Sequence, residues 1–474
     1  MRLPSWATVA AIAAATTLTA LTALATLTTA PADSVQPGGD WAAYLHGPQH
    51  TSYAPGETRI TPANVGNLKQ RWRFRPDLPT AADQPDPYLY ASPAVADGVV
   101  YVGSNNGYFY KLSLTTGAVL AKRFLGYQPP LTCHQQGVVS SATVAPDPAD
   151  GRDTVYIASP DGYLYALRPG DLSTKWRSLV DPPSATVNDY FNWSSPTVAN
   201  GHIYLGSASN CDDPLTRGAI VSYDQATGRE LARYYTVPQG LVGGGVWTSV
   251  AVASDGTVYS TTGTEVPNSP DPYESVSIVH LDATLKRLGV YTIPKTEIRF
   301  DSDFGASPVL FGGLVGACNK NGIFYAIDRT SMTLRWKRVI GAPAGGGIQC
   351  SASAAYDGSY LYVAGTPTTI GGTAFRGSIR RLDPATGKVL WARGLPNSSM
   401  ETPTVDGAGV LTVGTWDKTS TPNAAYLLDA STGKILRTLN TGGRSFSPSI
   451  FADGWLLTTN VTDGLRAYHL PSTP

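Results

Sequence analysis

The feature that most constrains this 474-residue chain is a phrase that recurs along it. An apolar alternating stretch is followed by a Gly or Asp-Gly turn and a strand such as Val-Tyr-Val-Gly. After these comes Tyr-x-Leu-Asp-x-x-Thr-Gly-x-x-x-x-Trp, which reads as a third strand, a tight turn and a fourth strand. Thr-Gly supplies the positive-φ position that the turn needs. Copies fall at 92–124, 141–176, 195–234, 248–291, 307–336, 352–391 and 402–436, the fourth being degenerate. An eighth starts at Ser447-Pro448 and stops at Tyr468, one strand short. Four-stranded units at such spacing are propeller blades. The expectation is therefore an all-β, eight-bladed propeller of antiparallel blades over 88–470.

The short eighth copy has a counterpart upstream. Residues 67–74, Asn-Leu-Lys-Gln-Arg-Trp-Arg-Phe, look like an orphan outer strand. Paired with the eighth copy it closes the ring and removes two sheet edges that would invite aggregation. The rest of 33–87 reads as a strap over the ring, up to about Val65, and a Pro/Asp-rich linker over 76–87. Composition agrees with many strands and turns. There are 49 glycines and 36 prolines, 25 tyrosines and 10 tryptophans, but only 3 methionines. Aromatic side chains pack well on pleated surfaces. Charged residues are 15%, and Lys+Arg equals Asp+Glu. There is thus no basic footprint for nucleic acid and no acidic tail.

Residues 1–32 read as an export signal. Arg2 opens it, residues 7–29 are uncharged, and Ala30-Pro31-Ala32 offers small residues for cleavage. A retained membrane anchor is the alternative, but the Thr- and Ala-rich run is weakly apolar. No later stretch is long and apolar enough to span a bilayer. The chain is expected to be extracellular, wall-associated or periplasmic. Its four cysteines, Cys133, Cys211, Cys318 and Cys350, suit disulfides in such a compartment. Four cysteines allow three connectivities; Cys318–Cys350 and Cys133–Cys211 are the preferred pairs. None sits in a haem-attachment or zinc spacing, and the histidines show no metal spacing.

Propeller geometry sorts the chemistry-bearing residues. Segments just before each first strand and just after each second strand emerge at one mouth. Before first strands lie Trp193, the run 243–247 ending in Trp247, and the run 300–304 with Asp301 and Asp303. After second strands lie Asp212 and Asp213, Thr264 and Glu265, and Cys318-Asn319-Lys320-Asn321. The mixture of carboxylates, a lysine, amides and indoles suits a polar site with flat apolar walls. The plainer readings are turn carboxylates for Asp301 and Asp303, a solvated lysine for Lys320 and core packing for Trp247. Trp176, Trp336 and Trp391 read as blade packing. Asp224, Asp328, Asp383 and Asp429 read as turn residues.

At these residues the chain resembles the pyrroloquinoline-quinone (PQQ) dependent alcohol dehydrogenases, including the polyvinyl-alcohol type, over nearly the whole length after the signal. Residues 243–249 and 258–263 resemble the family's Gly-Gly-x-x-Trp and Thr-Gly segments. The resemblance makes Trp247 the floor under the quinone. Residues 302–308 resemble the segment whose aspartate takes the alcohol proton, which assigns Asp303 as general base. Residues 319–329 resemble the Lys-Asn-Gly segment whose cation contacts the quinone carbonyls, which assigns Lys320, with Asn321 beside it. Asp301 and Trp193 complete the expected cofactor set. The resemblance further implies Ca²⁺, but the family's metal-binding Asn is Thr264 here and its metal-binding Glu has no match. Asp212, Thr264 and Glu265 are the substitute ligands, as oxygen donors suit Ca²⁺. The family's adjacent-cysteine ring is absent.

The expected function is PQQ-dependent oxidation of an alcohol or sugar, with an external electron acceptor because no haem motif is present. The alternative is a non-catalytic propeller that binds protein or polymer at the channel mouth.

Overall fold

The computed structural model describes residues 39–471, apart from 82, 129–130, 132–135, 185, 188, 300, 343–348 and 418–420. The signal, residues 1–32, lies outside the described residues.

The described residues form eight four-stranded antiparallel blades. Blade 1 runs through Ala94–Ala96, Val99–Gly103, Tyr108–Ser113 and Val119–Phe124, from the axis outward. Blades 2 to 7 repeat the pattern over 143–179, 197–235, 251–292, 309–339, 355–395 and 404–440. Second and third strands are covered by neighbouring blades on both faces, and Leu314–Asn319 is buried at every position. Outer strands are largely exposed, as in Val119–Phe124. Blade 6 carries an unforeseen hairpin, Thr368–Ile370 with Thr373–Phe375, between its second and third strands.

The ring closes as expected. Blade 8 is built from Ile450–Ala452, Trp455–Asn460 and Gly464–His469, and its outer strand is Lys69–Phe74. Gln70 faces Tyr468, Trp72 faces Ala467 and Phe74 faces Leu465. Trp72 and Phe74 are buried in a core with Val100, Tyr110, Phe451 and Leu457, shared by blades 8 and 1.

The outer-strand tryptophans are inter-blade pins. Trp72 donates its indole N–H to Leu114 O of blade 1 at 2.8 Å, Trp336 to Pro384 O of blade 6 at 2.9 Å, and Trp391 to Ala430 O of blade 7 at 3.1 Å. Each lies against the Thr-Gly glycine of that next blade, Gly117, Gly387 and Gly433. The repeated aspartates hold the turns. Asp383 Oδ1 accepts the N–H groups of Ala385 and Thr386, and Asp429 Oδ1 those of Ser431 and Thr432.

Two features surround the axis. The first is a girdle of hydroxyls at the start of the inner strands. The N–H of Ser92 donates to Ser141 Oγ, that of Ser141 to Ser195, that of Ser195 to Ser249 and that of Ser249 to Ser307, each at 2.9 Å. Ser353 N–H donates likewise to Thr402 Oγ1 at 3.1 Å. The second is the strap, which pairs by backbone with the far ends of the inner strands. Trp41 bridges Val95, and Pro48, Gln49, Thr51 and Ser52 carbonyls accept from Val252, Leu310, Tyr356 and Val405 of blades 4 to 7. It ends as Tyr53–Ala54, parallel to the inner strand of blade 7.

Candidate functional site at the channel mouth

Inner strands run away from the mouth, so residues that precede them share it with the turns after second strands. A cavity of about 280 Å³ opens there, lined among others by Trp193, Asp212, Trp247, Thr264, Asp301, Asp303 and Lys320. The sequence placed these residues together, and the structure does bring them together.

Three backbone devices build the site. Lys320 sits in the turn after Leu314–Asn319, closed by Gly322 at φ +91°. The Lys320 N–H donates to Asp303 O at 3.1 Å, and Asn319 Nδ2 donates to Ser302 O at 2.5 Å, so the turn is pinned to the Asp303 loop. Gly263 N–H donates to Gly245 O at 2.8 Å, tying the Thr264 turn to the Trp247 loop. The indole of Trp247 is framed by glycines. A Cβ on Gly263 would meet its Nε1 at 3.3 Å, and one on Gly305 would meet its Cη2 at 3.1 Å.

The side chains form one network. Trp247 Nε1 donates to Asp303 Oδ2 at 3.0 Å. Lys320 Nζ lies 3.0 Å from Asp303 Oδ1 and 2.8 Å from Asp301 Oδ1. The same ammonium lies over the Trp247 ring, 5.2 Å from its centroid. The Asp303 side chain is 6% exposed and that of Lys320 11%, against 40% for Asp301. Burial pushes the Asp303 carboxyl up to about 6; Lys320 opposes this and Asp301 adds to it. Burial pulls the Lys320 ammonium down, but Asp303 and Asp301 outweigh it and leave it raised. Asp303 is thus a desolvated base with both oxygens held in place.

Across the cavity Asp212 accepts the hydroxyls of Ser209 and Thr264, the latter at 2.6 Å. Trp193 Nε1 donates to Ser209 O at 3.0 Å. Two expected residues stand elsewhere. Asn321 turns inward, its amide donating to Tyr325 Oη at 2.8 Å and Glu297 O at 3.1 Å, because the turn that aims Lys320 outward aims its neighbour into the blade. Glu265 is exposed and lies outside the cavity lining. The Cys318–Cys350 disulfide is present, with Cα atoms 5.1 Å apart, and ties blade 5 to the start of blade 6 beside Lys320. Cys133 lies outside the described residues, so the Cys133–Cys211 pair does too.

The cavity fits a flat ring. The indole offers a planar wall, Lys320 a cation at its edge, and Asp303 a base beside it. It does not fit Ca²⁺, which takes about six to eight oxygen ligands. Among the described residues no group of three or more His, Cys, Asp or Glu is arranged to hold a metal. Asp212 already accepts two hydroxyls, and Asp301 and Asp303 share Lys320.

The sequence reading missed the hydroxyl girdle, although Ser/Thr-Pro recurs at Ser92, Ser195, Ser307, Thr402 and Ser447. It also missed Tyr90, Trp416 and Phe446, which pack together on the other side of the mouth.

Comparison with known proteins divides the chain in two. The pattern of the glucose/ethanol/alcohol dehydrogenase β-propeller domain matches residues 41–262, and that of the outer membrane protein assembly factor BamB matches 320–443 and 375–469. Quinohemoprotein alcohol dehydrogenase ADH-IIG of Pseudomonas putida is 28% identical over 200 residues, 42% of this chain and 26% of that protein. The dehydrogenase subunit of the quinone alcohol dehydrogenase of Gluconobacter oxydans is 27% identical over 203 residues, 42% of this chain and 25% of that subunit. The matched stretch is about a quarter of each relative. Among solved structures, that of ADHIIG from Pseudomonas putida superposes with a TM-score of 0.72 at 17% identity, over 92% of this chain and 81% of that one. BamB from Moraxella catarrhalis superposes at 0.55 and 13%, over 86% and 99%. By repeat, fold and matched patterns together, the chain is a β-propeller of PQQ-like repeats, similar over 41–262 to the quinoprotein alcohol dehydrogenases and over 320–469 to the BamB pattern.

Proposed function

We propose that the protein is an exported PQQ-dependent dehydrogenase that oxidises an alcohol or sugar and passes electrons to a separate acceptor. The observation that carries this reading is Asp303, a buried carboxylate clamped between Lys320 and Trp247 at the edge of a cavity with a flat indole wall. PQQ, when bound, supplies the acceptor of the hydride. Asp303 takes the hydroxyl proton of the alcohol, and its elevated proton affinity suits it to do so near neutral pH. Lys320 holds the carboxylate and presents positive charge to the cofactor edge. Trp247 would support the plane of the ring, and the glycines beside it leave room for the indole to lie there. No step requires Ca²⁺. Export is supported by residues 1–32 and by the Cys318–Cys350 bridge, which suits an oxidising compartment. No helix among the described residues is long and apolar enough to cross a membrane.

A second reading is a binding scaffold. The BamB pattern over 320–469 favours it, as does a lining in which Asp212, Asp301 and Asp303 outnumber Lys320, an awkward wall for a tricarboxylate. Reconstitution with PQQ, with and without Ca²⁺, separates the two. The expected result is quinone absorbance that survives gel filtration in both cases and reduction of an artificial dye by an alcohol. Asp303→Asn is expected to keep the absorbance and lose turnover. No retained quinone would leave the scaffold reading.

A further inference from the structure

We infer that the channel itself holds a second binding site, for the end of an uncharged, hydroxyl-rich chain such as a neutral oligosaccharide. The site goes beyond the proposed oxidation and does not need the cofactor.

On the axis lies a chamber of about 520 Å³, larger than the Asp303 cavity and within the roughly 300–1,000 Å³ of small-molecule sites. Its walls define the ligand. None of the described residues that line it is charged, so an ionic ligand would lose its water with no opposite charge in return. Its waist is the hydroxyl girdle. Ser141, Ser195 and Ser249 accept a backbone N–H from the preceding blade, and no described hydrogen bond uses their own protons. A hydroxyl carries one donor as well as its lone pairs. These three blade interfaces therefore each leave a donor on the chamber wall. A purely apolar chain would strand these donors, whereas ether and hydroxyl oxygens accept from them.

The two ends set the direction of entry. At the far end the strap closes the channel, with Tyr44 lining the chamber and hydrogen-bonded to Ser307 and Ser353. At the mouth, Tyr90, Trp416 and Phe446 pack with centroids 5.9 to 6.4 Å apart, and Phe446 is 37% exposed. Arg444 stacks on one face of Trp416, 4.6 Å from its centroid, and the remaining ring faces suit the C–H faces of sugar rings. The chamber is therefore blind, and a chain enters it end-on across the aromatic rim. Trp193 and Trp247 line both this chamber and the Asp303 cavity, so an occupant would lie against the indoles of the other site.

The test is equilibrium titration of the mature protein, followed by tryptophan fluorescence, with maltotriose, cellotriose, xylotriose and tri-N-acetylchitotriose, and with trigalacturonic acid as the charged comparison. At least one neutral trisaccharide is expected to bind with an affinity little changed between low and high salt, because the ligand is uncharged and no charged side chain among the described residues lines the chamber. Trigalacturonic acid is expected not to bind. Phe446→Ala and Trp416→Ala should each weaken binding roughly tenfold, Phe446→Ala being the safer for folding because that ring is exposed. Failure of every neutral trisaccharide to bind the folded protein overturns the proposal, as does binding that survives both aromatic substitutions. Loss of PQQ retention in Trp416→Ala, with no trisaccharide binding, would assign the aromatics to the cofactor and also overturn it. Trisaccharide binding by protein that retains no PQQ would sink the dehydrogenase reading and leave this one standing.

Discussion

Asp303 shows how one carboxylate is tuned by its surroundings. Burial favours the neutral acid, and Lys320 and the Trp247 N–H favour the anion. The outcome, about 6, means that the base is ionised above that pH and idle below it. If turnover needs the ionised form, kcat/KM rises with pH through about 6. Lys320→Met removes the main influence that favours the anion, so the carboxyl climbs further and the rising limb moves to higher pH, by roughly one unit or more. The pH profile of dye reduction reads this directly, and an unmoved limb would detach Lys320 from Asp303. The residues of this network were legible because each lies in a short segment that matches the family. Asn321 was not, since adjacency in a turn says nothing about which side chain faces out. Glu265 fails for the same reason, one position beyond the last residue that points into the cavity.

At the scale of the element, the repeat phrase turns out to encode contacts between blades more than strands within one. Trp at the end of one copy meets Gly in the turn of the next, so the two ends of the phrase complement each other across an interface. Gly433 and Gly151 let backbone and packing be separated, since both have φ +68°. A Cβ at Gly433 would stand 2.6 Å from Trp391 Cε3, whereas one at Gly151 meets nothing within 4 Å. Gly151→Ala should cost only the left-handed penalty, about 1–2 kcal/mol. Gly433→Ala should cost that and an overpacking cost of about 1–3 kcal/mol besides. Denaturant titration of the two variants compares them; equal losses would show that the indole gives way freely. The periodicity made the strands and the turns readable from sequence. The docking of Trp onto the next copy was not readable, because a repeat shows what recurs and not what touches.

For the whole molecule the closing question is what the ring tolerates at its last interface. Closure was legible, because a copy short of one strand needs an outer strand from elsewhere and only 67–74 offers one. The route of the strap was not, since it is held by backbone hydrogen bonds that leave no side-chain pattern. Nor was a buried acid at the junction of blades 7 and 8. Glu401 is fully buried; one oxygen accepts Ser449 N–H at 3.1 Å and the other lies against Gly414. Burial pushes its carboxyl up from 4.5 to about 7. Asp406, on the inner strand of blade 7, is pushed up by burial to about 8, with Glu57, just after the strap, adding to the shift. Both groups have folded values above their unfolded ones, so the folded state keeps protons that the unfolded chain has released. Their contribution is present in full at acid pH and is lost as pH rises through about 7 and 8. For Glu401 alone the loss has an upper bound of about 3 kcal/mol. Thermal midpoints of the protein should therefore decline between pH 5 and 8. Glu401→Gln preserves shape and the bond from Ser449 but cannot ionise. Its midpoint should match the parent at pH 5 and exceed it at pH 8, with a shallower decline because Asp406 still titrates. Parallel declines for the two proteins would mean that Glu401 ionises without cost, which requires water or a cation at the blade 7 and 8 interface.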